Sequence, residues 1–232
     1  MGRLPGRTLA GIAVAVASAA AGEPLQVAVA SNFQSAMEGL VAGLPGEVVT
    51  TYGSSGLLYA QIVQGRRFDV FLSADALRPR ALVDAKRAHS PVTYALGRLV
   101  LVVNHGTPGA DWLASDKRVA LANPETAPYG RAAQEAMDRL GAESKRINAL
   151  NVAQAFHFAA SGAADGAFVA LAQVLAQDVP ADRRWLVPEK LYAPIEQVGV
   201  VLAGPREQAA QELLDHLGSA GVRVAIREAG YR

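Results

Sequence analysis

The sequence of 232 residues predicts an α/β protein of two lobes, each built on a doubly wound sheet, with a hinge between them. Three observations support this fold class. Short apolar runs alternate with helix-like segments in the first hundred residues, as in parallel sheets crossed by helices. A long apolar stretch at residues 94–103 then interrupts the alternation. Another apolar run, at residues 198–202, lets the chain return to the first lobe.

The first 21 residues have the pattern of an export signal. Arg3 and Arg7 form a basic start, residues 9–19 are apolar, and Ala19, Ala20 and Ala21 are small residues suited to cleavage. The apolar run is too short to span a bilayer. Cleavage near Ala21 and a periplasmic location are therefore expected.

Composition excludes several classes of function. The chain has no cysteine, which excludes disulfides, thiolate metal sites, a cysteine nucleophile and lipid attachment at cysteine. Without the arginines of the export signal, 20 basic residues face 21 acidic residues. This balance provides no long-range attraction for nucleic acid, so no nucleic-acid partner is expected.

The first lobe begins with the buried strand Leu25–Ala30, after which Ser31 and Asn32 open a helix. Residues 47–51, which are β-branched from Val48 onward, follow a Pro-Gly turn, so they form a second strand. The loop Gly53-Ser54-Ser55-Gly56 then leads into a helix that runs through Gln64.

The pattern continues across the proposed hinge. A third strand, at residues 68–72, is followed by Ser73-Ala74-Asp75 and a further helix. The remaining predicted strands are Arg118–Ala122, residues 167–171 and residues 198–202, and the remaining predicted helices are residues 131–140, Val152–Ala160, residues 207–218 and residues 222–228. We therefore assign residues 22–97 and 200–232 to the first lobe and residues 98–199 to the second.

Four helix starts indicate where a ligand would bind. In open α/β sheets, ligands lie beyond the carboxyl ends of the strands, where helices begin. Each helix start carries free backbone N–H groups and roughly half a positive charge, so four would supply about +2. This charge would suit a small dianion. The four junctions are Ser31-Asn32, Ser54-Ser55-Gly56, Tyr129-Gly130 and Asn151-Val152.

A set of short motifs, spread in order over the chain that follows the export signal, resembles the periplasmic molybdate-binding proteins of ABC importers (ModA-like solute-binding proteins). The motifs are Ala30-Ser31-Asn32-Phe33, Tyr52-Gly53-Ser54-Ser55-Gly56, Tyr59-Ala60-Gln61-Ile62, Ser73-Ala74-Asp75, Asn123-Pro124-Glu125, Ala127-Pro128-Tyr129-Gly130, Ala160-Ser161-Gly162-Ala163-Ala164-Asp165 and Phe168-Val169-Ala170. The resemblance implies the two-lobed periplasmic-binding-protein fold of type II. It also implies a cleft that closes over molybdate or tungstate, and delivery to a membrane permease by a monomer.

The resemblance also implies a set of contacts to the oxyanion. They are Ser31, Asn32, Ser55, Tyr129 and Val152. They would hold the metal through hydrogen bonds to its oxygens and not by direct coordination, and no resident cofactor or enzyme activity is implied. Many members have a tyrosine hydroxyl donor where this chain has Ala170, and a small residue where it has Tyr129. A subgroup resembles this chain in both respects, with Asn32 adding a contact.

Two alternatives remain open at the level of sequence. The ligand could be sulfate or another oxyanion, because the same donors suit any unprotonated dianion. The chain could instead be an exported serine hydrolase with Ser55 as nucleophile. Against this, Leu57 occupies the second glycine position of the Gly-x-Ser-x-Gly motif, and no histidine lies in a context that marks it as the base.

Overall fold

The computed structural model describes residues 23–41, 43–44 and 46–232, so the predicted export signal lies outside the described residues. Within these ranges the chain forms ten strands and nine α-helices. The strands are β1 Leu25–Ala30, β2 Val48–Gly53, β3 Val70–Ser73, β4 Ala88–Gly97, β5 Leu99–Val103, β6 Arg118–Ala122, β7 Lys145–Ala149, β8 Gly166–Ala170, β9 Arg184–Leu186 and β10 Ile195–Leu202. The helices are α1 Gln34–Val41, α2 Ser55–Val63, α3 Leu77–Asp84, α4 Ala110–Leu113, α5 Pro128–Leu140, α6 Val152–Ala160, α7 Leu171–Ala176, α8 Glu207–Leu217 and α9 Ala220–Glu228.

The strands form two five-stranded sheets, which confirms the α/β fold with two sheets. The first has the order β2-β1-β3-β10-β4 and the second β7-β6-β8-β5-β9. Both sheets are mixed, whereas strand–helix alternation predicted parallel pairing. β10 runs antiparallel to β3 and β4 because it returns from the second sheet, while β4 leaves towards it.

The two connections between the sheets lie side by side. Gly97, at the end of β4, pairs with Ile195, at the start of β10, and β5 begins only two residues after Gly97. β10 belongs to the first sheet over its whole length. The predicted lobe boundary between residues 199 and 200 remains a prediction.

The lobes are in contact in this structure. Ala30 and Ala74, at the ends of β1 and β3, pack into the buried cluster of the second lobe. Conversely, Ala172 of α7 packs into the core of the first lobe. The molecule is therefore in a closed arrangement, with the carboxyl ends of β1, β3 and β6 facing the interface. No helix in the described part of the chain is long and apolar enough to cross a membrane.

Candidate functional site

A small cavity lies between the lobes, with a volume of about 10 Å³ for the centre of a water-sized sphere. This is about the space that a single water molecule requires, so the closed lobes leave little unfilled room between them. The first lobe contributes Ala30, Ser31, Asn32, Gly53, Ser54, Ser55 and Ala74, and the second contributes Ala127, Pro128, Tyr129 and Val152. The structure thus brings together all five residues predicted as contacts.

The folding pattern explains why these residues meet. β1 ends at Ala30 and passes directly into a 3-10 turn, Ser31–Phe33, that continues as α1. β2 ends at Gly53 and α2 begins at Ser55, while α5 and α6 begin at Pro128 and Val152 on the opposite lobe. Four helix starts therefore converge, and their free N–H groups and dipoles make the cavity electropositive.

Ser55 has a hydroxyl prepared for donation. Its side chain is fully buried, and its Oγ accepts the Ala74 N–H at 2.9 Å. Because the oxygen is already an acceptor, its proton remains available for an acceptor in the cavity. The Ser55 N–H, at the first position of α2, has no hydrogen-bond partner among the described residues. Ser55 can therefore donate twice.

Asn32 uses its side chain structurally. Its Nδ2 donates to Gln197 Oε1 at 2.8 Å and to Tyr231 Oη at 3.1 Å. The Tyr231 hydroxyl in turn donates to the Asn32 carbonyl at 2.7 Å. This leaves the backbone N–H as the group that Asn32 can offer to a ligand. Its neighbour Ser31 is also buried and lines the cavity.

The Tyr129 hydroxyl lies outside the cavity. It packs so closely against the Gly97 backbone that a side chain at Gly97 would collide with it, and Gly97 does not line the cavity. Burial raises the pKa of the Tyr129 phenol well above its usual 10.0, and the nearby Tyr231 and Tyr192 add to the rise. The phenol is therefore neutral. The part of Tyr129 suited to an anion is its N–H, which follows Pro128 in the first turn of α5.

Val152 can contribute only its backbone. It begins α6, and the side chain of the preceding Asn151 caps the helix by accepting the Gln154 N–H at 3.0 Å. The Val152 N–H has no hydrogen-bond partner in the described part of the chain. Ala170, the last residue of β8, precedes α7 and does not line the cavity.

Ser54 is a cavity residue that is not among the five predicted contacts. Its pattern indicated an ordinary helix cap, and it does occupy the position before α2. Its hydroxyl makes no capping bond, however, and among the described residues this buried oxygen has no partner. No local sequence signal separates a capping serine from an unpaired one, because both precede a helix.

The lining of the cavity contains no charged side chain and no histidine. Two larger grooves, of about 500 and 550 Å³, open elsewhere on the first lobe and are bordered by ionic residues such as Glu23 and Arg206. The convergence of unpaired donors, and not volume, marks the small cavity as the candidate site. Over the described ranges, no three His, Asp or Glu side chains are grouped so that they could hold a metal ion directly.

Comparison with known proteins agrees with this location. The family described as bacterial extracellular solute-binding protein matches residues 14–232. The molybdate-binding protein ModA of Rhodobacter capsulatus is 41% identical over 228 residues, covering 92% of this chain and 89% of that protein. ModA of Azotobacter vinelandii is 37% identical over 235 residues, with 93% and 92% covered. The solved structure of the Azotobacter vinelandii periplasmic molybdate-binding protein superposes with a TM-score of 0.77 at 34% identity, covering 90% of this chain and 98% of that one.

Proposed function

The chain belongs to the bacterial extracellular solute-binding proteins, and from this premise we propose that it captures molybdate between its lobes and delivers it to an ABC permease. One observation of the site favours an unprotonated oxyanion, and the similarity to two molybdate-binding proteins favours molybdate among such ions. The cavity between the lobes is lined by hydrogen-bond donors from four helix starts and by no carboxylate.

The chemistry of the ion explains why this donor set matters. Molybdate carries no proton at neutral pH, so a site for it needs donors only. Hydrogen phosphate keeps one proton and would require an acceptor such as Asp or Glu. Bonds from N–H or O–H to a charged oxygen are worth about 1.5–3 kcal/mol each, so several can hold the ion against the costs of ordering.

The contacts we propose are Ser31, Asn32, Ser55, Tyr129 and Val152, all through hydrogen bonds to the oxyanion. Asn32, Tyr129 and Val152 would use the backbone N–H, and Ser55 would use both its hydroxyl and its N–H. Tungstate has nearly the same size and charge, so it is a second ligand of the same site. The protein would act as a periplasmic monomer after cleavage near Ala21, without a resident cofactor.

The relatives named above are binding proteins, and we propose no catalysis for this chain either. Ser55 is the candidate nucleophile of the hydrolase alternative. Its oxygen contacts the Ala74 N–H, and no histidine lines the cavity that could take its proton. A serine without a base nearby is suited to donate a hydrogen bond and not to attack a substrate.

Calorimetric titration of the purified protein with molybdate, tungstate, sulfate and phosphate tests the proposal. Molybdate and tungstate should bind with similar affinity. Sulfate has shorter bonds to oxygen, so donors placed for the larger ion reach it imperfectly and it should bind far more weakly. Equal affinity for sulfate and molybdate would identify a general oxyanion carrier. No heat with any of the four ions would refute the proposed function.

Ligand binding should also stabilise the fold. An ion that binds only the folded state adds about 2.7 kcal/mol at a hundredfold excess over its Kd. Molybdate should therefore raise the melting temperature, while phosphate at the same concentration serves as the control. A melting curve that does not respond to saturating molybdate would contradict the assignment.

A further inference from the structure

A second set of contacts joins the lobes at the edge of the cavity. We call it the rim clamp, and it consists of Gly56, Asp75 and Arg78 from the first lobe and Glu125 and Thr126 from the second. The Gly56 N–H donates to the Thr126 carbonyl at 2.8 Å, and Arg78 Nη2 donates to the Glu125 carbonyl at 3.0 Å. Both bonds cross between the lobes, so they exist only when the lobes are closed.

Arg78 is held in place from within its own lobe. Its other terminal nitrogen pairs with the Asp75 carboxylate, whose second oxygen accepts the Arg78 backbone N–H at 2.9 Å. The two side chains are only 11% and 13% exposed. The planar guanidinium is thus oriented before the second lobe arrives, so little side-chain freedom is lost when the bond forms.

Gly56 allows the lobes to approach closely. A Cβ at this position would lie 2.7 Å from the Thr126 carbonyl oxygen and 2.8 Å from its Cα. The two Thr126 atoms belong to the backbone of the other lobe, so they could give way only if the lobes moved apart, whereas Arg78 Nη2, which the Cβ would approach to 2.9 Å, ends a flexible side chain that can shift. Within its own helix, α2, Gly56 would be replaced favourably by alanine, which has the higher helix propensity.

The clamped segment leads directly to the site. Asn123 organises it, because its Oδ1 accepts the Glu125 N–H at 3.0 Å and its carbonyl accepts the Ala127 N–H at 2.8 Å. The chain then enters α5 at Pro128, and the next residue is Tyr129. Because the clamp holds Glu125 and Thr126, it also holds the start of α5, where the Tyr129 N–H faces the cavity.

We propose that Arg78 and Gly56 are positioning residues that set the lifetime of the closed, ligand-bound state. The inference rests on the proposed function. Neither residue lines the cavity, so the clamp should act on release and leave the preference among anions unchanged. A residue that merely stabilised the first lobe would instead change the melting temperature of the free protein.

The absence of cysteine makes the test direct. Val63 in the first lobe and Leu186 in the second are 45% and 41% exposed, and both lie outside the cavity lining. Cysteines at these two positions can carry a donor and an acceptor dye. Energy transfer between the dyes then reports closure on mixing with molybdate and reopening when the free ion is removed by excess unlabelled protein.

Arg78→Ala should reopen roughly tenfold faster, the effect expected for losing a bond from a charged donor. The rate of capture and the ratio of tungstate to molybdate affinity should not change. Gly56→Ala should also reopen faster, although its melting temperature without ligand should equal or exceed that of the wild type. Arg78→Lys keeps one charged donor, so its reopening rate should fall between those of the wild type and Arg78→Ala. Arg80→Ala, an exposed position on the same helix, is the control and should behave as wild type.

Reopening of Arg78→Ala at the wild-type rate would overturn the clamp. Failure of the wild type to close with molybdate, tungstate or sulfate would instead overturn the proposed function. In that case the clamp is tested by the fraction of closed molecules in the free protein. A smaller closed fraction in Arg78→Ala than in the wild type supports the clamp, and an equal fraction refutes it.

Discussion

Ser55 presents a hydroxyl whose oxygen is occupied and whose proton is free. Ser55→Ala removes one bond to a charged oxygen and leaves the Ala74 N–H without its acceptor. We expect molybdate affinity to fall roughly ten- to hundredfold. Ser54→Ala is the comparison variant: the Ser54 hydroxyl also lines the cavity, but no hydrogen bond within the described part of the chain orients it, so its loss should cost less. Calorimetry on both variants measures the difference, and the reverse order would place the Ser54 hydroxyl, not that of Ser55, on the ion.

Variants of Tyr129 can separate the contribution of its backbone N–H to molybdate binding from that of its side-chain hydroxyl. Its hydroxyl lies against Gly97, so Tyr129→Phe should change molybdate affinity by only a few-fold, well under the ~1.5 kcal/mol expected for a bond to a charge. Tyr129→Pro removes the N–H and should impair binding severely, with circular dichroism as the check on folding. A hundredfold loss in the phenylalanine variant, with the fold intact, would identify the hydroxyl as the ligand.

At the scale of residues, the sequence predicted which positions lie together at the site. It did not predict which hydrogen-bonding group each residue presents there. Ser31, Asn32 and Ser55 lie where apolar strands lead into helices, and the family resemblance implied that they are contacts. The structural role of the Asn32 side chain could not be predicted, because its partners Gln197 and Tyr231 are 165 and 199 residues away in the sequence. Contacts of that range depend on the tertiary fold and leave no local pattern.

At the scale of elements, α6 is capped by the Asn151 side chain, and the helix start that this cap stabilises also lines the cavity. Asn151→Ala removes the acceptor of the Gln154 N–H and should lower the free energy of unfolding by about 1 kcal/mol. The Val152 N–H lies in the same turn, so molybdate affinity should fall as well. Urea unfolding with and without molybdate measures both effects. Unchanged stability would show that Gln154 finds another acceptor at no cost.

Elements with strong hydrophobic patterns were predicted well. β1, β6 and α6 have the predicted bounds, because each is a continuous apolar or amphipathic run between turn residues. β7 was missed, since Lys145–Ala149 is a largely polar strand at the edge of its sheet and its pairing with β6 determines it. The apolar stretch at residues 94–103 is divided at Arg98 into β4 and β5, one in each sheet, next to the lobe boundary that we assign between residues 97 and 98.

For the whole molecule, a cluster of buried phenols at the hinge predicts sensitivity to alkaline pH. Burial raises the pKa values of Tyr94, Tyr129 and Tyr231 above their usual 10.0. Above about pH 10 the unfolded chain loses these protons while the folded chain keeps them, so the free energy of unfolding falls as pH rises. Each tyrosine should contribute a slope of about 1.4 kcal/mol per pH unit.

Tyr94→Phe provides the measurement. The Tyr94 hydroxyl has no hydrogen-bond partner among the described residues, so the variant removes a titrating group without breaking a bond. Urea unfolding between about pH 9 and pH 11 should show a shallower decline for Tyr94→Phe than for the wild type. The same slope in both proteins would contradict a role for this phenol in alkaline unfolding.

The bonds of Asn32 to Gln197 and Tyr231 also fix the order in which the site can be made. A ribosome that has passed Val152 has already synthesised every proposed contact to the ion. Asn32 nevertheless still lacks both residues that hold it, because Gln197 and Tyr231 are translated after Val152. A nascent chain can therefore display the donors without having assembled the site, and the capacity to retain an ion should arise only after Tyr231 has been synthesised.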